Sequence, residues 1–347
     1  ESLSPFLFSM YVNDLEDALC TKGFKGIAIT LMKMFLLMYV DDIIIMAETP
    51  EDLQLGLNIL EQYCNKWKLK LTKIIVFRKV GLLPRNLKFY YDNTELEIGS
   101  SFTYLGIVFT SGGSFSTAQQ TLAGQAQKAV YKLKRHLLKF HNITVSHTLE
   151  LFNKFVAPML SYASQCWAFC KADNVERVHT QFCKSLYCVK NSTQNDFIYG
   201  ELGRTDLKTI RIYSAVKIWL KILGANEREY INVVYKLILS DLILHPNKTN
   251  WASLMRDTVS RLGFYHVWLE QGVANPKVFL SMLKTRPKYI FIQDWKSRLE
   301  HSTRALSYNT ICSFNFQYYL SISISHSLSL SLFLSFFLSL PKADTFF

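Results

Sequence analysis

The chain is short of acidic residues, of a disulfide pattern and of a leader. Lys and Arg number 39 against 27 Asp and Glu, a formal charge of +12 with a pI near 9.2. That imbalance favours a polyanionic partner, nucleic acid or an anionic membrane face, and charge alone leaves both open. Seven cysteines, an odd number at irregular spacings, exclude a disulfide framework and read as reduced intracellular thiols. Cys166, Cys170, His179, Cys183 and Cys188 lack the two-residue knuckle of zinc ribbons, so no zinc is expected. Cys166 and Cys170, a helical turn apart beside Trp167 and Phe169, fit core packing instead. No signal peptide is visible in this sequence. The opening "ESLSPFLF" has neither an initiator Met nor a polar lead-in, and reads as a chain cut upstream. Residues 320 to 340, "LSISISHSLSLSLFLSFFLSL", alternate apolar residues with Ser, and no basic flank precedes them. They read as translated simple-sequence DNA rather than a membrane anchor, and as an aggregation hazard.

What is present can fold. With 49% hydrophobic and 14% aromatic residues in 347, the chain can bury a sizeable core divided among two or three domains. Ser4 as N-cap, Pro5 at the first helical position and Phe8, Tyr11, Val12, Leu15, Ala18 and Leu19 at helical spacing predict one helix over 5–21. The apolar runs 34–40 and 43–47 predict a hairpin buried on both faces. Thr49 and Asp52 predict a capping box, with Pro50 first in a helix whose face carries Leu53, Leu57, Leu60, Cys64 and Trp67. Strands are expected at 73–77, 88–91 and 104–110. From about residue 116 the period is helical to about 310, interrupted at 245–248 and by Gly263, Gly272 and Pro287. Trp219, Trp251, Trp268 and Trp295 recur in apolar helical patterns and are expected in the core.

Asp41 and Asp42 stand between two apolar runs, in "FLLMYVDDIIIMAET". On turn chemistry alone, an Asp-Asp pair is an ordinary polar turn. A hairpin tip that fixes two carboxylates also suits Mg²⁺ or Mn²⁺, and two ions about 3.5–4 Å apart can clamp the attacking and leaving oxygens of a phosphoryl displacement. Tyr39 and Val40, directly before the pair, separate these readings.

"YVDD" between apolar strands resembles the catalytic motif of reverse transcriptases. Upstream, "SLSPFLFSMYVNDLEDAL" is similar to the helix-bearing motif that precedes it in non-LTR (LINE) retrotransposon polymerases. Downstream, "YLGIVFTSGG" resembles their primer-gripping hairpin, and the region from "CWAFCKADNVERVHTQFC" to "ELGR" resembles the segment after the polymerase core of jockey-like elements. The resemblance runs from residue 1 to about 318. It implies an RNA-directed DNA polymerase that takes an RNA template, a DNA primer and dNTPs. Asp41 would be a ligand shared by both metal ions and Asp42 its neighbour. Tyr39 and Val40 would lie near the primer end, Tyr104, Leu105 and Gly106 would form the primer grip, and Ser4 and Pro5 would start the helix near the incoming nucleotide.

The fold class implied is α+β: a partial palm with an antiparallel sheet over 1–115, a thumb-like helical region over 116–195, a helical extension over 196–318 and the low-complexity tail over 319–347. The family's further metal-binding Asp stands on a strand before the Leu-Ser-Pro helix. A chain starting here would lack it and leave the hairpin with an open apolar edge, so this chain alone is expected to be inactive. In "KWKLKLTKIIVF" the family's Leu-Asn and Lys-Thr-Lys pattern is shortened to Thr72-Lys73. Either Lys73 has taken the role of proton donor to pyrophosphate or the role is lost. On a helical wheel, Lys128, Lys132, Arg135 and Lys139 fall within about 60° of one another, opposite Ala126, Val130, Leu133 and Leu137. They form either a solvated face or a stripe that follows the phosphates of a primer–template duplex.

Overall fold

The computed structural model describes residues 4–29, 32–39, 42–67, 74–78, 87–139 and 143–302. The chain opens with helices α1 (Ser4–Tyr11) and α2 (Leu15–Thr21), in place of the single helix expected over 5–21. Asn13 and Asp14 interrupt it. Both favour turns over helix interiors, and the Asp14 carboxylate accepts a 2.5 Å hydrogen bond from the Tyr63 hydroxyl.

Strands β1 (Ile27–Ile29) and β2 (Met32–Met34) form one antiparallel pair, and β3 (Leu36–Tyr39) and β4 (Asp42–Ile45) the next. Helix α3 (Pro50–Trp67) follows. Then come β5 (Ile74–Ile75), β6 (Phe89–Tyr91), β7 (Thr94–Leu96), β8 (Ile98–Gly99), β9 (Ser101–Tyr104) and β10 (Ile107–Thr110). Among the described residues the strands pair only in twos, and β5 with β8 is parallel, so one antiparallel sheet is not what forms. Strands of two to four residues offer few ladder bonds with which to recruit a third neighbour. The run expected as a strand over 104–110 is instead the turn and return strand of the β9–β10 hairpin. Leu105 and Gly106 take left-handed φ of 47° and 77°.

The remainder of the described chain is helical: α4 (Ser116–Leu137), α5 (Val145–Phe155), α6 (Ala157–Leu160), α7 (Ser164–Trp167), α8 (Asp173–Leu186), α9 (Asn195–Leu202), α10 (Lys208–Leu223), α11 (Tyr230–Leu244), α12 (Trp251–Arg261), α13 (Tyr265–Glu270) and α14 (Pro276–Glu300). Helix α14 runs through Pro287, which was expected to interrupt it. Pro287 is itself buried, and packing of the surrounding turn offsets the lost backbone bond.

Three main cores result. Leu15, Leu19, Phe24 and Phe35 pack on the α3 face of Ile59, Leu60, Tyr63 and Cys64. Ile107 joins α4 to α9 around Phe152, Trp167 and Phe182. The third, over α10 to α14, centres on Trp219, Met255 and Leu283. Trp219, Trp268 and Trp295 are buried as expected, and Trp251 is partly so. Cys166 and Cys170 are exposed, contrary to the core packing read for them. Helix α7 ends at Trp167, and it is that indole that turns inward. Tyr230 of α11 donates a 3.2 Å hydrogen bond to the Lys33 carbonyl, tying the helical region back to β2.

Candidate functional site

The β3–β4 hairpin sets the site. Its register pairs Leu36 with Ile45, Leu37 with Ile44, Met38 with Ile43 and Tyr39 with Asp42. Leu36, Ile43 and Ile45 pack on the first core. Leu37, Met38 and Tyr39 are nevertheless exposed, Tyr39 to 59%. The expectation of burial on both faces is therefore corrected: with no third strand among the described residues, only the inner side of the hairpin meets α3 and Phe35. Asp42 is exposed at the first position of β4, opposite Tyr39. Asp41, Val40 and Lys73 lie outside the described residues. Ser4 and Pro5 begin α1, and their side chains also lie outside them.

The hairpin base is held by acids that follow it. Thr49 caps α3 by accepting from the Asp52 N–H at 3.2 Å, the local half of the expected capping box. The Asp52 carboxylate, however, reaches away from its own helix. It accepts from the Lys25 and Gly26 backbone N–H groups, both at 2.9 Å, and Glu48 accepts from Ala28 N–H at 2.9 Å. The strand before the hairpin and the helix after it are thus locked together. Sequence spacing supplies the cap but carries no sign of these long-range bonds.

Tyr104 ends the first strand of the second hairpin. Its phenol is held above its ordinary pKa, first by burial and then by the charge of the Asp42 carboxylate. Leu105 follows in a left-handed conformation that costs an L-residue about 1 kcal/mol or more. Its carbonyl accepts from the Tyr162 hydroxyl at 2.8 Å, and a Cβ on Gly106 would lie 3.6 Å from the Tyr162 ring. Between this turn and α4 runs a groove of about 390 Å³ lined by Gly106, Leu122, Gln125, Pro158, Met159 and Tyr162. Tyr162, a lone aromatic after α6, had no sequence signal.

Lys128, Lys132 and Arg135 are exposed on α4, and Ala126 and Val130 are buried on its other side. Lys139 is exposed too, but it lies two residues past the helical end at Leu137 and so leaves the wheel on which it was placed. On α8, the buried His179 accepts from Arg204 at 3.2–3.3 Å. Burial and this guanidinium push its pKa down to about 3. The same guanidinium acts on buried Cys183, whose thiol burial holds up at about 11. A fixed cation there is a poor neighbour for a metal ion. No helix among the described residues is long and apolar enough to cross a membrane.

Residues 2–109 match the family model for "Reverse transcriptase (RNA-dependent DNA polymerase)". The match contains both hairpins and ends before α4. No curated protein and no solved structure matches the chain. The matched segment is thus similar to RNA-directed DNA polymerases, a nucleotidyltransferase class that generally uses divalent metal ions, an RNA template, a primer and dNTPs.

Proposed function

We propose that this chain derives from the reverse transcriptase of a jockey-like non-LTR retrotransposon. In this reading 1–115 is part of a palm, 116–195 a thumb-like region and 196–318 a helical extension. The observation that carries it is the placement of Asp42 at the head of β4, opposite Tyr39 and within the electrostatic reach of Tyr104, inside the segment that matches the family. An exposed carboxylate on a register-fixed strand is a hard oxygen donor of the kind Mg²⁺ takes, so Asp42 fits the role of ligand, with Asp41 beside it. When bound, the divalent ions would supply charge neutralisation at the phosphoryl oxygens. Tyr39 would bear on the primer end, and Tyr104, Leu105 and Gly106 would hold the primer strand.

Two adjacent carboxylates form one side of such a cage. Their mutual repulsion is relieved only by a bound cation, and two carboxylates alone supply few of the oxygen ligands of an octahedral Mg²⁺ site, so this chain alone is expected to hold nucleic acid without extending a primer. The exposed α4 cations favour that second, binding-only reading, since they contact phosphates without reading sequence.

Primer extension on an RNA template with Mg²⁺ or Mn²⁺ tests both, using this chain and its Asp41→Ala and Asp42→Asn variants. The expected result is salt-sensitive primer–template binding without incorporation. Incorporation that both variants abolish would establish catalysis and overturn the proposed incompleteness. Absence of both binding and incorporation would overturn the nucleic-acid-binding reading.

A further inference from the structure

The first half of α14 carries a charge pattern that the polymerase reading does not use. From Pro276 to Gln293 the chain has four cations, Lys277, Lys284, Arg286 and Lys288, and no Asp or Glu. Elsewhere in the helical region some cations are matched: Lys236 with Glu227, Lys248 with Asp241, Arg256 with Asp257, and Arg298 with Asp196. Lys277, Lys284 and Lys288 are all exposed, and none of the ion pairs among the described residues includes them. At 100° per residue these three lysines lie within about 40° of one another and span about 16 Å of helix.

The other edge of the same exposed arc borders a groove of about 320 Å³ between the α12–α13 turn and α14. Leu262, Phe264, Met282, Arg286 and Tyr289 line it. Arg286 donates through Nε to the Leu262 carbonyl at 3.1 Å, which fixes the guanidinium at the groove edge. Gly263 turns the chain at that edge with φ of 82°, a left-handed conformation that glycine takes without strain. Tyr289 is 61% exposed beside it.

We propose that this face of α14 is a second nucleic-acid surface, separate from α4, and that it takes a single strand. The lysine row would follow the phosphates, while Tyr289, about a third of a turn round the helix at the groove, would offer an unpaired base a stacking surface with Arg286 beside it. An anionic membrane would also answer to the charge. Surface binding of a basic helix needs a free apolar face to insert, however, and here that face, Phe279, Leu283 and Pro287, is turned into the core. The proposal does not depend on the polymerase reading, because it concerns residues outside the matched segment.

The test uses the full chain and a fluorescein-labelled oligo(dT), with anisotropy followed over a series of KCl concentrations. Changing Lys277, Lys284 and Lys288 to Gln together should weaken binding at least about tenfold and reduce the log–log salt slope by about 2, from three single-strand phosphate contacts. Tyr289→Ala should weaken it about tenfold with the slope unchanged. Both losses should persist when Lys128, Lys132 and Arg135 are already changed to Gln, which separates this face from α4. Unaltered thermal melts would show that the variants fold. Wild-type affinity and slope in the triple variant would overturn the proposal. So would retained oligo(dT) binding accompanied by loss of binding to phosphatidylserine vesicles, which would assign the face to a membrane.

Discussion

Replacing Asp52 with Ala should loosen the support of the candidate site more than any change at its surface. The side chain is 8% exposed and accepts two backbone hydrogen bonds, from Lys25 and Gly26, each at 2.9 Å. Hydrogen bonds to a charged acceptor contribute about 1.5–3 kcal/mol each, and a buried N–H left without a partner costs about as much. The expected loss is therefore about 3–5 kcal/mol, a large share of the roughly 5–15 kcal/mol that stabilises a folded protein. The Thr49 cap would survive, because it uses the Asp52 backbone N–H. What would be released is the start of β1, hence the β1–β2 pair and Phe35, on which the hairpin bearing Asp42 rests. Since separate cores need not unfold together, the measurement should be local. In hydrogen exchange, amides of residues 24–28 should lose about two to four orders of magnitude of protection, while those of α8 and α10 stay unchanged. Asp52→Asn keeps one acceptor and should give about half that loss in free energy. Wild-type exchange at residues 24–28 in the Ala variant would refute the claim that Asp52 holds the two segments together.

Other outcomes follow from the same structure. His179 and Asp206 should give opposite pH dependences. His179 is pushed down to about 3, so its contribution is present above the ordinary histidine range and lost as pH falls; Asp206, raised to about 6 first by burial and then by Glu176, contributes below about 3.8 and loses this as pH rises to 6. Between pH 4 and 6 the two slopes, each about 1.4 kcal/mol per pH unit, largely cancel. Urea melts of Asp206→Asn should then show stability falling as pH drops through that window, and His179→Gln the reverse; superimposable profiles would contradict both assignments. Gly26→Ala should prevent stable β1–β2 pairing, because Gly26 has φ of 65° and a Cβ would sit 2.6 Å from the Met34 carbonyl oxygen. Limited proteolysis near residue 30 would detect this, and wild-type resistance would count against it. Tyr162→Phe removes the 2.8 Å bond to Leu105 and should cost about 0.5–1.5 kcal/mol, with faster amide exchange confined to the β9–β10 turn. Faster exchange throughout α4 instead would mean that Tyr162 supports the helix rather than the turn.

Local pattern was enough for much of this chain. The cap and Pro50 placed the start of α3, and apolar spacing set the buried side of α4 at Ala126 and Val130 and identified a hairpin at Asp42, because each depends on neighbours a few positions away. The motif order around "YVDD" likewise indicated the family that residues 2–109 match. Other features depend on groups brought together from afar. The break at Asp14 answers to Tyr63, the second role of Asp52 to Lys25 and Gly26, and the support of the Leu105 turn to Tyr162. Nothing in their own sequence neighbourhoods encodes these bonds. Burial was decided in the same way. An apolar run carries no record of how many of its faces will find a partner, so Leu37, Met38 and Tyr39 remained exposed where periodicity placed them inside. On α14, sequence supplied the cations and the missing acids. The fold decided that the apolar side would be consumed by the core and the basic side left free.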